Sequence, residues 1–430
     1  MAAPSAGAGS SVAVCPEGER FVLALCQIEP FGNAPGKSAA KLAALVGRAR
    51  SEVGPSRNLV VLVPEVYLQH YGAFDPRAPG GAAAQTARRG DAALHVVAAA
   101  AKEHRAAIVV TCALNHPPSD GAGLPLPRVE LAADSERRSA AACDGTSGLL
   151  PFNAAIAIDA DGSVSAVYGK THLWNGDGFD HVERDLYQAS AEPPRAVGWR
   201  KLAPRATGSG AGPEGGGAPE SRPPLTADDV FPIFTLPAAG LAELRFAMCI
   251  CYDVEHPAVV AAYAARGVDV ILVPTASTGP SAILSRVLVP ARAYEAHATI
   301  AYCNYPSSRA GGPDGAPAGG EEGASGAAEA AAVPVRWASV GESAQPAEAA
   351  AAFGNAAAPV WPLGFSGASV VYDGDGTLAG EPSPPGAESV TLVPVTGPGS
   401  ARVAEHVARN PYMADRRLDL IKPSGLAGLR

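Results

Sequence analysis

The sequence lacks the cysteine pairs and histidine clusters of disulfide-rich and metal-binding proteins. Its seven cysteines form no CxxC pair, and several lie within strand-like apolar runs. This usage predicts free thiols in a reducing compartment, without a disulfide framework. Its nine histidines are scattered, without the spacing of metal ligands, so we expect no metal site.

The sequence also lacks an excess of positive charge, a membrane-spanning run and a targeting segment. A formal net charge of -9 argues against a general nucleic-acid binder. The apolar runs are too short to cross a bilayer, so no membrane contact is expected. Residues 1–19 are small and polar, with no apolar signal core and no arginine before Arg20. We therefore predict a disordered N-terminal tail and a cytoplasmic protein.

Glycine and proline are abundant instead, with 48 and 40 residues. They concentrate in the tail and in three further segments, at about 117–149, 193–229 and 307–362, which have little periodic apolar content. Such composition is typical of loops and disordered segments. We predict a single domain over residues 20–430 with these three segments as surface inserts.

Between these segments, strand patterns alternate with helix patterns. Phe21–Gln27 and Ala107–Ala113 predict strands, and Lys37–Glu52 predicts an amphipathic helix. A second helix is expected over Ala92–His104, with Asp91 as its N-cap. This alternation indicates an α/β fold.

The stretch around Cys251 has the pattern of a strand that ends in a reactive turn. The apolar run Phe246–Ile250 predicts a strand buried on both faces. Pro257 can open a helix, and a second buried strand is expected over Val268–Val273. A thiolate at such a strand end can attack a carbonyl whose oxygen is held by free backbone N–H groups. The alternative is a structural cysteine packed as a small hydrophobic residue.

Two more strand ends carry polar residues. Glu65 follows the apolar run that begins at Leu59, as a first-turn acid or as a catalytic carboxyl group in a dry pocket. Lys170 follows a strand that pairs with an earlier one through a turn at Asp161-Gly162. Without a partner, Lys170 is a solvated charge at the end of a strand.

Together, the three stretches VPEVY, YGKTHL and CYD resemble the carbon–nitrogen hydrolase family, or nitrilase superfamily, which carries a Glu, a Lys and a Cys in this order. The resemblance extends in order through ALCQIEP, ARAYEAHATIAYCN, FSGASVVYDGDGTL and RNPYMADRR. It implies a four-layer α-β-β-α sandwich, chemistry without a cofactor, and a homodimer.

The resemblance also implies a role for each site residue. Cys251 is the nucleophile, and Glu65 moves protons to and from it. Lys170 lowers the pKa of the thiol and, with the N–H of Tyr252, holds the oxyanion. Cys249 lies inside the strand, so the position at the strand end favours Cys251.

The sequence departs from the family pattern at two places. The family's Phe-Pro-Glu after the Cys is replaced by His256-Pro257-Ala258, and its Gly-Tyr after the Glu by Tyr71-Gly72. A second Glu after the Lys is common in the family. Glu183 is the best match, as a residue that orients Lys170 or substrate, and Asp177 and Asp180 compete for the position.

The Cys-Tyr-Asp sequence resembles the amidase and carbamoylase branches more than the nitrilase branch. We therefore predict a hydrolase that cleaves a small amide through a cysteine acyl-enzyme and releases ammonia. An N-carbamoyl amine or amino-acid amidohydrolase is the alternative. A nitrilase, or an inactive member that acts as a binding protein, is a further possibility.

Overall fold

The computed structural model describes residues 18–31, 34–69, 71, 82–114, 152–174, 183, 230–277, 283–307, 326–338 and 365–410. Within these ranges the strands, in chain order from β1 to β12, are Phe21–Gln27, Leu59–Leu62, Ala107–Leu114, Phe152–Ile158, Val164–Gly169, Ile233–Leu236, Leu241–Met248, Val270–Pro274, Thr299–Cys303, Val335–Trp337, Val370–Tyr372 and Ser389–Val395. The α-helices, from α1 to α6, are Pro35–Val53, Ala82–His104, Pro257–Ala264, Val289–Ala296, Gly326–Ala332 and Ala401–Arg409.

The strands form two sheets. The seven-stranded sheet has the order β10-β12-β1-β2-β3-β4-β5, and the five-stranded sheet has the order β11-β9-β8-β7-β6. Parallel pairs join β1 to β2, β2 to β3, β7 to β8 and β8 to β9, as expected for strands that alternate with helices. The antiparallel strand β12 completes the first sheet beside β1.

Alternate residues of β1 enter two different cores. Val22 and Ala24 pack in the core that contains α1 and α2, whereas Phe21 and Leu23 pack in the core that contains the second sheet and helices α3 and α4. Both faces are apolar because each face of this strand is covered. The protein is thus a single α/β domain with the layers α-β-β-α, as predicted.

Helix α2 begins earlier than predicted. Its range is Ala82–His104, so Asp91 lies inside the helix and the prediction that it caps the N-terminus is wrong. The residues that precede Asp91 in this helix, AAAQTARRG, are mostly good helix formers, which explains the longer helix. No helix in the described ranges is both long and apolar enough to cross a membrane.

Part of the third predicted insert is ordered. Residues 326–338 contain α5 and β10, so the prediction of a loop or disordered segment is wrong there. The Arg48 side chain on α1 donates to the carbonyl groups of Ala330, Ala331 and Val333. Contacts with Arg48 therefore stabilise a segment whose composition alone predicts no regular structure. Residues 1–17 of the predicted tail and the inserts at 117–149 and 193–229 lie outside the described residues.

Candidate active site

The predicted site residues follow strand ends that meet between the two sheets. Glu65 comes shortly after β2, Lys170 directly after β5, and Cys251 shortly after β7. The N–H of Glu65 donates to the carbonyl of Thr275, which directly follows β8, at 3.2 Å. This backbone bond joins the two sheets at the site.

Lys170 lies between two carboxylates in a buried cluster. Its Nζ donates to Glu65 Oε1 and to Glu183 Oε1, each at 2.7 Å. The side chains of Glu65 and Lys170 are fully buried, and Glu183 is 2% exposed. The structure thus brings these three predicted residues together. Asp177 and Asp180 lie outside the described residues.

Other groups hold the two carboxylates in place. Asn153 Nδ2 donates to Glu65 Oε1 at 2.6 Å, and the Tyr71 hydroxyl donates to Glu183 Oε1 at 2.9 Å. The Trp174 N–H donates to Glu183 Oε2 at 2.5 Å. Glu65 Oε2 is buried and has no hydrogen-bond partner among the described residues. A buried acceptor that the fold leaves unused is suited to receive a proton.

Glu65 and Lys170 differ in their protonation near neutral pH. Burial raises the pKa of Glu65 to about 7, against the opposing effect of the Lys170 charge. Burial would lower the pKa of Lys170, but the charges of Glu183 and Glu65 raise it well above its usual value. Lys170 therefore remains a cation, while Glu65 exchanges its proton near neutral pH.

Cys251 occupies a strained turn. Its φ of +49° is in the left-handed region, where a non-glycine residue is uncommon. The residue begins a 3₁₀ helix, Cys251–Glu255, and its partly buried side chain hydrogen-bonds with Thr275. Cys251 therefore has a backbone conformation different from that of the strand that precedes it.

Burial raises the pKa of the Cys251 thiol above its usual value, and the charge of Glu65 raises it further. Lys170 lowers this pKa, as expected from the sequence, but its effect is smaller than that of burial. The thiol therefore keeps its proton at rest. A nucleophile at this position needs a base, and Glu65 is the nearby group with a suitable pKa.

Two residues close to Cys251 in the chain, Cys249 and Tyr252, have different surroundings from it. Cys249 is fully buried in the core that contains the second sheet and helices α3 and α4, and burial raises its thiol pKa well above the usual value. Tyr252 lies in the first turn of the 3₁₀ helix, where backbone N–H groups have no acceptor within the helix. The position of Tyr252 thus fits the oxyanion donor predicted from the sequence.

Three residues of this site were not predicted: Asn153, Thr275 and, as a partner of Glu183, Tyr71. Asn153 is a polar residue in the otherwise apolar strand FNAAIAI, and that contrast is the signal that sequence reasoning missed. Within the described part of the chain, no group of three or more His, Cys, Asp or Glu side chains is arranged to hold a metal ion.

Comparison with known proteins identifies the family. A family model described as carbon-nitrogen hydrolase matches residues 22–320. The chain belongs to the carbon–nitrogen hydrolase family. The matched range contains Glu65, Lys170, Glu183 and Cys251.

A curated relative and several solved structures resemble this carbon–nitrogen hydrolase. The relative is the "Hydrolase in pqqF 5'region" of Pseudomonas protegens, 38% identical over 154 residues. That match covers 36% of this chain and only 38% of the relative.

The structural matches include an amidase of the nitrilase superfamily from Nesterenkonia sp. AN1. One of its structures has a TM-score of 0.55 with 19% identity, and covers 95% of this chain and 98% of its own. A second, in complex with butyramide, has a TM-score of 0.55 with 20% identity and the same coverage. At this level of identity the likeness shows the shared fold.

Proposed function

We propose that this carbon–nitrogen hydrolase cleaves a small linear amide through an acyl-thioester on Cys251 and releases ammonia. The observation that carries the proposal is the buried cluster of Glu65, Lys170 and Glu183 beside the Cys251 turn. Its three members combine a base with a pKa of about 7, a permanent cation and a residue that holds the cation.

Acylation begins with proton transfer from the Cys251 thiol to the Glu65 carboxylate. The Sγ atom attacks the amide carbon, and the carbonyl electrons move onto oxygen. Lys170 Nζ and the Tyr252 N–H stabilise this oxyanion. When the intermediate collapses, the C–N bond breaks, Glu65 returns its proton to the nitrogen, and ammonia leaves.

Deacylation uses the same carboxylate. Glu65 accepts a proton from a water molecule, whose oxygen attacks the thioester carbon. The tetrahedral intermediate collapses with cleavage of the C–S bond, which yields the carboxylic acid. The Cys251 thiolate regains its proton from Glu65. No metal or organic cofactor is required by these steps.

Structures of the Nesterenkonia amidase support the amide class. One is a complex with butyramide, and another shows covalent addition of the acetamide moiety of fluoroacetamide at the active site cysteine. Both compounds are short aliphatic amides, which makes such amides the first substrates to test here.

A substrate panel tests the reaction class. We expect ammonia release from short aliphatic amides such as butyramide and little from nitriles or N-carbamoyl amino acids. Release of carbon dioxide together with ammonia would assign the chain to carbamoyl hydrolysis instead. Binding of amides without any turnover would indicate an inactive member that acts as a binding protein.

A pair of cysteine variants tests the nucleophile. Cys251→Ala should abolish turnover, because the thioester cannot form without the sulfur. Cys249→Ala is the matched control, since Cys249 is buried in the core, and its kcat should remain close to that of the unmodified protein. Intact-mass measurement after addition of fluoroacetamide should show an adduct on the Cys249 variant but not on the Cys251 variant. Turnover that survives in Cys251→Ala would reject this assignment.

A further inference from the structure

A buried carboxylate connects the chain segment of Lys170 with the turn of Cys251. Asp253 is fully buried. Its Oδ1 accepts hydrogen bonds from the Thr171 hydroxyl at 2.7 Å and the His172 N–H at 2.8 Å, and it lies 3.0 Å from His172 Nδ1. Its Oδ2 accepts from the Tyr168 hydroxyl at 2.8 Å and the Ile250 N–H at 3.1 Å.

These donors come from both sides of the site. Tyr168 and Thr171 flank Lys170 along the chain, while Ile250 directly precedes Cys251. The mechanism above gives Asp253 no proton to transfer and no contact with the substrate. Its hydrogen bonds nevertheless connect residues on both sides of Lys170 with the turn of the nucleophile.

Two stacked rings add a second contact between the same segments. The His172 ring stacks on the His256 ring, with 3.9 Å between their centroids and 17° between their planes. His256 follows the 3₁₀ helix that begins at Cys251, and Tyr252 packs edge-on against it. The unusual His256-Pro257-Ala258 sequence therefore has a structural use at this junction.

We infer that Asp253 is a positioning residue that holds the Lys170 segment in register with the Cys251 turn. The inference rests on the proposed function, because it concerns the distance between the cation and the nucleophile of that reaction. Lys170 Nζ is already fixed toward Glu65 and Glu183. Asp253 fixes the distance between the backbone of the Lys170 segment and the Cys251 turn.

The first test replaces Asp253 with Asn, which keeps the shape but turns one acceptor into a donor. We expect kcat to fall by roughly 10- to 100-fold with KM little changed, since a misplacement of about 1 Å can cost on the order of 100-fold. Asp373→Asn is the matched control, because Asp373 is also buried but pairs with Arg402 outside the site. That variant should retain the kcat per folded molecule.

A second readout does not depend on amide turnover. Iodoacetamide labelling of Cys251, followed by mass spectrometry against pH, reports the fraction of thiolate. Removal of a nearby negative charge alone would lower the thiol pKa and speed labelling. Movement of Lys170 away from the thiol would raise the pKa and slow labelling. We expect slower labelling in Asp253→Asn, in the direction of Lys170→Met.

Two milder variants test the inference if Asp253→Asn does not fold. Thr171→Val and Tyr168→Phe each remove one donor to a different oxygen of Asp253 and nearly keep the side-chain shape. Each should lower kcat by a few-fold and slow labelling. The double variant should deviate from additivity, because both donors act through one carboxylate.

The outcomes separate the inference from the proposed function. Normal kcat and normal labelling in folded variants, with only a lower Tm, would show that Asp253 serves stability alone. Faster labelling in Asp253→Asn would also overturn the inference. Failure of the unmodified protein to hydrolyse amides, with slower labelling in the variants, would reject the proposed function and retain the positioning role.

Discussion

At the scale of single residues, the protonation of Glu65 decides when the site can act. Burial raises its pKa to about 7, and Asn153 is one of the groups that lower it through a hydrogen bond. The base form is the carboxylate, so activity should be low below this pKa and rise as pH increases through it. The pH limb of kcat/KM therefore reports the environment of Glu65 in the free enzyme.

Loss of the Asn153 amide should shift the pH at which kcat/KM rises. In Asn153→Leu the carboxylate loses a donor at 2.6 Å, so the pKa of Glu65 should rise and the limb of kcat/KM should shift to higher pH. A pH–rate profile from pH 5 to 9 measures the shift. Thr391→Val, which removes a buried hydrogen bond with Ser383 elsewhere in the same sheet, should leave the limb near pH 7. An unmoved limb in Asn153→Leu would contradict this account of the Glu65 pKa.

The sequence predicted Glu65, Lys170 and Cys251 because three local stretches, each an apolar run followed by a polar residue, together resemble the family pattern. Asn153 could not be found in this way. It reaches Glu65 from β4, which is separated from β2 by β3, and its position depends on the pairing of Asn153 with Ala113. The raised pKa of the Cys251 thiol also could not be predicted from the sequence, because it depends on how fully tertiary packing excludes water.

At the scale of elements, helix α5 and strand β10 depend on contacts with the rest of the domain. The sequence GAAEAAA and its glycine-rich surroundings favour no single structure by periodicity. Ala330 and Val333 are buried against the core of α1, and β10 pairs with β12. A prediction from composition alone fails here because the stabilising partners are distant in sequence.

Arg48 is the clearest of those partners, since it donates to three carbonyl groups at the C-terminal end of α5. In Arg48→Met these carbonyls lose their donor, and residues 326–338 should open more often. Limited proteolysis with mass mapping should then show earlier cleavage in this segment. Arg20→Met is the control, because Arg20 is exposed and pairs with an exposed Glu243. Equal cleavage rates in the two variants would show that Arg48 does not hold the segment.

At the scale of the whole molecule, buried aromatic side chains contribute to the contact between the two sheets. Phe246 of β7 is fully buried, and its ring lies 5.8 Å from that of Phe21 in β1 and 5.9 Å from that of Phe234. The sequence predicted the apolar runs and their alternation with helices. The sandwich itself followed from the family resemblance, because periodicity does not say which sheet faces which.

Truncation of Phe246 should therefore weaken the whole domain. Phe246→Ala removes a large side chain from the contact between the sheets, and we expect a loss of about 3 to 5 kcal/mol in the free energy of unfolding. Urea titration should show a lower midpoint with an unchanged slope. Val96→Ala, at a position that is 40% exposed, should change this free energy by about 0.5 kcal/mol or less. Similar losses in the two variants would contradict the importance of the contact between the sheets.

The place of β12 in the first sheet also affects how the protein is made. Strand β1 is synthesised early, but one of its edges pairs with Ser389–Val395. At about 5 to 20 residues per second, the ribosome needs tens of seconds to reach that partner. During this interval the nascent chain has an open strand edge that can pair with another chain. We therefore expect the yield of folded protein to depend on translation speed and on chaperones that cover β1 until β12 emerges.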